Sequence, residues 1–220
     1  GVPAGLSIMV EVTSFTLMAL FIARLGAVAS ASHQIAASLA AVLYMVPLAL
    51  GIASSARTGY WLGAGQPHRA RQAAGLGISL AIGAAVLCAA ALLLGREAIA
   101  HAFTNDRVVA QTAMVWLAWV AVYHLADAVQ AVCAFLLRCY RITIAPLLIY
   151  TAFLWGFGLY GGYLWAYEDS ALSGWLQWTG RPAVDTFWIS SSLALAAVSV
   201  LFAALVWRVS RPVNLTSAVD

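Results

Sequence analysis

Residues 121–139, AVYHLADAVQAVCAFLLRC, form an apolar stretch of membrane-spanning length with polar side chains in its middle. A charged residue such as Asp127 costs at least ~2.5–3.5 kcal/mol to insert at that depth. At helical spacing Tyr123, Asp127 and Gln130 share one face with Ala134, whereas the leucines and valines fall largely elsewhere. An acid on a polar stripe inside an apolar helix indicates a path or binding site for an ion or substrate.

Composition places the whole chain in the membrane. Hydrophobic residues make up 64% of the 220 residues, charged residues only 9%, and the mean hydropathy is +0.91. Soluble domains carry about 25% charge, so the soluble class is excluded. The net charge of +3 does not indicate a nucleic-acid partner. The three cysteines lack metal-ligand spacing and are expected to be buried small side chains.

The apolar segments predict an all-α polytopic fold with six membrane-spanning helices, since a hydrocarbon core of ~30 Å needs about 20 helical residues. Ser32 is the expected N-cap of the second helix, and Asn105 and Asp106 are expected to begin the fourth. The connection REAIAHAFTNDRVV predicts a short interfacial helix, and Trp175 and Trp178 predict an interfacial aromatic belt. The six predicted spans are about 4–28, 34–62, 73–95, 109–137, 143–166 and 185–208.

The arginines predict the orientation of the chain. Six of them follow the second, fourth and sixth spans on one side, against four on the other, with Arg57 left uncounted. Basic residues favour the cytoplasmic side, so both ends of this chain are predicted to be cytoplasmic. The first group is Arg69, Arg71, Arg138, Arg141, Arg208 and Arg211, and the second is Arg24, Arg96, Arg107 and Arg181.

Two acids lie within predicted spans, Glu11 in the first and Asp127 in the fourth. Polar and aromatic neighbours at helical spacing surround Glu11, which favours a cation or proton site over a carboxylate that simply meets water at the interface. Asp127 could also be a buried acid bonded to a neighbouring helix. Two acids on different helices of one bundle are suited to bind a hard cation or carry a proton. His124 lies one residue off the polar stripe and is assigned a structural role.

Trp116, Trp119 and Tyr123 could form an aromatic wall that receives organic cations. A core or interfacial role for these rings is equally consistent with the sequence. No DDxxD, HExxH or GxSxG motif occurs, which argues against an intramembrane enzyme.

Several blocks of the chain, in order, resemble the second half of transporters of the multidrug and toxic compound extrusion (MATE) family, most closely its NorM-type branch. The resemblance covers residues 1 to about 165 and is weak over residues 168–185. The blocks are PAGLSIMVEVTSF, GAVASASHQIAASLAAVLYMVPLALGIASSARTGYWLGAGQPHRAR, HAFTNDRVV and HLADAVQAVCAFLLRCYRITIAPLLIY.

The resemblance implies the carboxy-terminal six-helix lobe of a twelve-helix exporter, in which the family's cation-coupling acids match Glu11 and Asp127. The coupling ion would be Na⁺, bound by these acids as a metal, or H⁺. Tyr123 and Gln130 match further family positions in the same helix. Where the family reads Leu-Arg-Gly, this chain reads Leu-Arg-Cys ending at Cys139, so an altered turn is expected there.

We therefore expect one lobe of a cation-coupled multidrug antiporter, a multi-pass protein of the cell inner membrane that works by alternating access. Its expected partners are organic cations or other drugs, membrane lipid and a missing amino-terminal lobe, with no nucleic acid and no cofactor besides the coupling ion. The alternative is a lipid or polyprenyl-phosphate flippase, for which we would expect more cavity-facing basic residues. Loose substrate contacts are assigned to aromatic and methionine side chains: Phe15, Met18, Tyr44 and Met45.

Overall fold

The computed structural model describes residues 1–167 and 185–211, and within these ranges the chain forms six helices long and apolar enough to cross a membrane. This confirms the predicted all-α polytopic fold. The residues 168–184, with the predicted belt tryptophans Trp175 and Trp178 and with Arg181, lie outside the described part. The helices are α1 (Val2–Ala23), α2 (Ala27–Gly63), α3 (Pro67–Phe103), α4 (Arg107–Cys139), α5 (Ile144–Tyr167) and α6 (Thr186–Val209).

The fourth helix, α4, is the centre of the bundle and packs against α2, α3 and α6. In its most apolar segment 67% of the residues are buried, against 22% in α1 and in α2. Trp116 and Leu117 pack with Phe187 of α6 towards one end, and Leu136 packs with Phe202 of α6 towards the other. The protein interior therefore surrounds the helix that carries the polar stripe.

The first connection differs from the prediction. Gly26 has a φ of 116°, a left-handed conformation that glycine adopts without steric cost, and α2 begins directly after it at Ala27. The prediction that Ser32 caps this helix is wrong, because the chain has already turned six residues earlier. Ser32 is instead buried, and its hydroxyl donates to the carbonyl of Val109 on α4 at 3.2 Å.

The third helix is longer than predicted. α3 runs unbroken to Phe103, so the separate interfacial helix predicted after residue 95 is wrong. Arg96 and Glu97 are exposed and have high helix propensity, so their polarity marks the exit from the membrane without ending the helix. The predicted start of α4 is confirmed, since the Asp106 carboxylate accepts from the backbone N–H groups of Val108 and Val109 at 2.8 and 3.1 Å.

The end of α4 is a Schellman turn built on a residue other than glycine. Arg141 has a φ of 60°, its N–H donates to the carbonyl of Arg138, and the N–H of Ile142 donates to the carbonyl of Leu137, both at 3.0 Å. The left-handed position thus lies two residues beyond Cys139. The Cys139 thiol donates to the carbonyl of Ser55 on α2 at 3.3 Å.

The middle of α5 is a π-helix, Thr151–Gly161, between α-helical ends at Ile144–Tyr150 and Gly162–Tyr167. Two of its carbonyls face neighbouring helices. Ser14 of α1 donates to the carbonyl of Leu154 at 3.4 Å, and Ser190 of α6 donates to that of Gly158 at 2.8 Å. The π-helical part of α5 is therefore held between α1 and α6.

Candidate functional site

Gln130 joins the two acids that the sequence singled out. Its amide nitrogen donates to Glu11 Oε1 at 3.1 Å and to Asp127 Oδ1 at 2.9 Å. Asp127 and Gln130 share one face of α4, whereas Glu11 reaches them from α1. Because both oxygens contact one nitrogen, they lie within about 6 Å of each other, which is the range in which the charge of one carboxylate affects the other.

Tyr150 completes this group from a third helix. The phenol of Tyr150, at the end of the first α-helical part of α5, donates to Gln130 Oε1. Gln130 is fully buried, and Tyr150 is 3% exposed. The amide therefore uses both its donor and acceptor sides, and it connects α1, α4 and α5 through one buried side chain.

A small cavity of about 20 Å³ opens beside Glu11. Such a volume accommodates about one water molecule or a small cation. Asp127 is 6% exposed and does not line the cavity, whereas Glu11 is half-buried and does. The side chains beside Glu11 in the lining are Ser14, Phe15, Met18 and Tyr123.

An aromatic cluster adjoins the acids. The ring of Phe15 lies 6.4 Å from that of Tyr123 and 6.2 Å from that of Trp188, and His33 lies 5.6 Å from Trp188. Trp116 contacts His33 on the far side, with 6.3 Å between the ring centroids. The rings thus form a continuous packed cluster, of which Phe15 and Tyr123 line the cavity of Glu11.

Asp185, which directly precedes α6, lies at the far end of this cluster and is buried. Its carboxylate accepts a hydrogen bond from the indole of Trp116 at 2.8 Å. This bond ties the start of α6 to α4. In this structure Trp116 is therefore a core residue, while Tyr123 remains beside the cavity.

Six of the residues that the sequence assigned to ion or substrate contact lie around one cavity or one hydrogen-bonded group: Glu11, Asp127, Gln130, Tyr123, Phe15 and Met18. Met18 is 2% exposed, so it offers a surface only to the cavity. Met45 is 55% exposed and lies elsewhere, on the outer surface of α2 and α3.

Sequence reasoning missed Tyr150 and Trp188. Tyr150 follows an apolar run, and its pattern resembles that of many interfacial tyrosines. Trp188 is the fourth residue of the predicted sixth span, and the sequence does not show which face of that helix is buried. Only the arrangement of helices shows that both point towards the site.

The oxygens of the site suit a hard cation better than a transition metal. Within residues 1–167 and 185–211, no group of three or more His, Cys, Asp or Glu side chains is placed to hold a metal ion. A cation at the two carboxylates would take its further ligands from neutral oxygens, and Na⁺ accepts such a set.

Fold and site together define a multi-pass helical membrane protein with two carboxylates joined inside one bundle. The chain belongs to the MatE family, whose family model matches residues 3–164. The match confirms the resemblance found in the sequence. It extends from α1 to the last part of α5, so it includes every residue of the acid site.

The chain is similar in sequence to proteins that are named multidrug resistance proteins. It is 40% identical over 211 residues to a probable multidrug resistance protein NorM of Aromatoleum aromaticum, covering 96% of this chain and 44% of that protein. It is 33% identical to the multidrug resistance protein MdtK of Proteus mirabilis, with 96% and 45% covered, and 36% identical to PmpM of Pseudomonas aeruginosa, with 80% and 36% covered. The chain thus spans less than half the length of these relatives.

Two solved structures share the fold. The eukaryotic MATE transporter AtDTX14 superposes with a TM-score of 0.82 at 20% identity, covering 96% of this chain and 46% of that one. A MOP superfamily transporter from Pyrococcus furiosus superposes with a TM-score of 0.72 at 15% identity, covering 94% and 43%. Both likenesses support the six-helix arrangement.

Proposed function

We propose that this chain is the carboxy-terminal lobe of a cation-coupled multidrug antiporter of the inner membrane, with both of its ends cytoplasmic. The observation that carries the proposal is the Gln130 amide, which joins the acids of α1 and α4 inside the bundle. The names of the relatives, multidrug resistance proteins, support the substrate class. The arginines of the α2–α3 turn support the orientation.

The hydrogen bonds suggest how ion binding changes the lobe. When a proton binds to Glu11 or Asp127, the carboxyl group loses its negative charge and becomes a weaker acceptor for the Gln130 amide N–H. When Na⁺ binds between the acids, its charge repels the same N–H group. Either ion therefore changes the link between α1 and α4, since a proton weakens the amide hydrogen bonds and Na⁺ replaces them with its own contacts to the carboxylates, and the two helices shift.

Such a shift is what alternating access requires, because two states must differ in their affinity for the ion. The Glu11 carboxylate faces the cavity and lies beside the rings of Phe15 and Tyr123. An organic cation would find a negative charge and aromatic faces on the same surface. Drug and coupling ion then compete for one group of residues, and binding of the ion releases the drug.

Transport by the full-length parent tests this proposal. The parent is reconstituted in proteoliposomes, and efflux of a fluorescent organic cation is measured under an imposed Na⁺ gradient and, separately, a pH gradient. Glu11→Gln and Asp127→Asn should abolish coupled efflux under the gradient that drives the wild type. The exposed Glu97→Gln on α3 is the matched control and should transport normally.

Wild-type efflux under one gradient only identifies the coupling ion. Normal coupled efflux in both acid variants would refute the coupling role. If the wild type moves no drug but moves a phospholipid, the flippase function replaces the antiporter function.

A further inference from the structure

A groove with a basic end runs along the outer surface between α2 and α3. Its basic part has a volume of about 510 Å³ and includes Arg57, Trp61, Arg69 and Gln72. An apolar part of about 730 Å³ continues from it, and the two parts share Leu50 and Leu80. We call the whole feature the α2–α3 groove. It lies apart from the acids of α1 and α4, which line none of it.

The basic end carries two cations and no acid. The guanidinium carbon of Arg57 lies 5.4 Å from the centre of the Trp61 ring, and that of Arg69 lies 4.7 Å from the same ring. Among the residues that line this part, none is Asp or Glu. Both arginines are exposed, so their forked donors remain available for an anion. A tryptophan between two arginines therefore positions two positive charges at one place.

With the middle of α2 and of α3 placed at the centre of the bilayer, these side chains lie at the level of the phospholipid headgroups. Arg57 lies twelve residues from Met45, the middle of α2, which is about 18 Å along the helix axis. Half of the hydrocarbon core is about 15 Å thick. Arg69 and Gln72 are still farther from the middle of α3, at about 24 and 20 Å. Trp61 is the residue type that favours this interfacial level.

The floor of the groove is made of small residues. A Cβ atom added to Gly77 of α3 would lie 2.6 Å from the Cβ of Ser54 of α2, so the two backbones approach closely there. Beyond this contact the groove rises towards the membrane middle between exposed apolar side chains. Leu76, Leu80 and Leu87 form its wall on α3 and are each at least half exposed. Its apolar lining fits an acyl chain.

We propose that the α2–α3 groove binds one anionic phospholipid, with the phosphate on Arg57 and Arg69 and an acyl chain along the apolar part. The Gln72 side chain supplies a further donor at the headgroup level. Charge complementarity selects an anionic over a zwitterionic headgroup, since the two guanidinium groups face no carboxylate of the groove. The site needs no assumption about drug transport, and it predicts that a specific lipid copurifies with the protein.

Native mass spectrometry of the full-length parent tests the site. The delipidated protein is titrated with phosphatidylglycerol and with phosphatidylcholine of the same acyl chains. We expect phosphatidylglycerol to bind more tightly to the wild type, and its affinity to fall about fivefold for each of Arg57→Gln and Arg69→Gln. Arg71→Gln, on the same helix but outside the groove lining, is the matched control and should bind as the wild type does.

Two further arms separate the possible occupants. Glycerol 3-phosphate carries the same phosphate without an acyl chain and should not displace the lipid. A phosphatidylglycerol with a photoreactive acyl chain should cross-link to the segment 76–87. Equal binding of both lipids, or wild-type affinity in the doubly substituted protein, would overturn the proposal. Cross-links confined to the other lobe would overturn it as well, because that lobe would then cover the groove.

Discussion

Replacing Gln130 with leucine should remove the hydrogen-bonded link between α1 and α4 while the volume of the side chain stays nearly the same. The variant loses the donor shared by Glu11 and Asp127 and leaves the Tyr150 hydroxyl without its acceptor. Hydrogen bonds to charged groups contribute about 1.5–3 kcal/mol each. The two bonds to the acids alone therefore lower the expected free energy of unfolding of Gln130→Leu by about 3–6 kcal/mol, and the lost Tyr150 bond adds to this.

The Tyr150 bond is a neutral one between helices, and such bonds contribute about 0.6–1.7 kcal/mol in membrane proteins. Tyr150→Phe should therefore cost about that amount in the wild-type background. In the Gln130→Leu background the hydroxyl is already unpaired, so removing it should cost nothing. The double-mutant cycle isolates this pair from the rest of the bundle.

Equilibrium unfolding of the full-length parent in mixed micelles supplies the free energies. Gln111→Leu is the matched control, because Gln111 lies exposed on the same helix, and it should change the free energy of unfolding by less than about 0.5 kcal/mol. Strictly additive effects of Gln130→Leu and Tyr150→Phe would show that the two side chains do not interact. An unchanged stability of Gln130→Leu would refute the bridge itself.

Two further predictions concern backbone geometry. Arg141→Gly should stabilise the folded state by about 1 kcal/mol, because glycine adopts the left-handed conformation without the cost that other residues carry. Arg141→Ala should not stabilise it, and thermal unfolding of both variants tests the difference. Gly77→Val should destabilise the bundle by about 1–3 kcal/mol through its contact with Ser54. Gly75→Val is the control and should not, because nothing lies within 4 Å of the added Cβ. Equal losses of stability in the two variants would show that helix propensity, and not the α2–α3 contact, is responsible.

The polar stripe of α4 could be predicted from the sequence because residues three and four apart share a helix face. Asp127 and Gln130 are indeed hydrogen-bonded partners. The partner of Gln130 on α1 could only be suspected, since Glu11 lies 119 residues away in the chain. Hydropathy shows which segments span the membrane, but it does not show which helix faces meet.

The boundaries of the helices were harder to predict than their existence. Ser32 is a good N-cap residue type, but the turn at Gly26 takes precedence because the backbone conformation there interrupts the helix. Arg96 and Glu97 look like the end of a span, yet both are compatible with a helix in water. The length of an apolar segment therefore does not predict where a helix ends when that helix extends beyond the bilayer.

The central place of α4 also has a consequence for biogenesis. Its mean hydropathy, 1.7 in its most apolar window, is lower than the 2.2 of α2 and the 2.4 of α3, and it carries an acid at mid-depth. Such a segment partitions less readily into lipid by itself. Since α1, α2 and α3 precede it in the chain, they are already synthesised when α4 emerges, and Glu11 and Ser32 offer it polar contacts. The order of synthesis thus gives the least lipid-soluble part of this helix a protein surface to insert against.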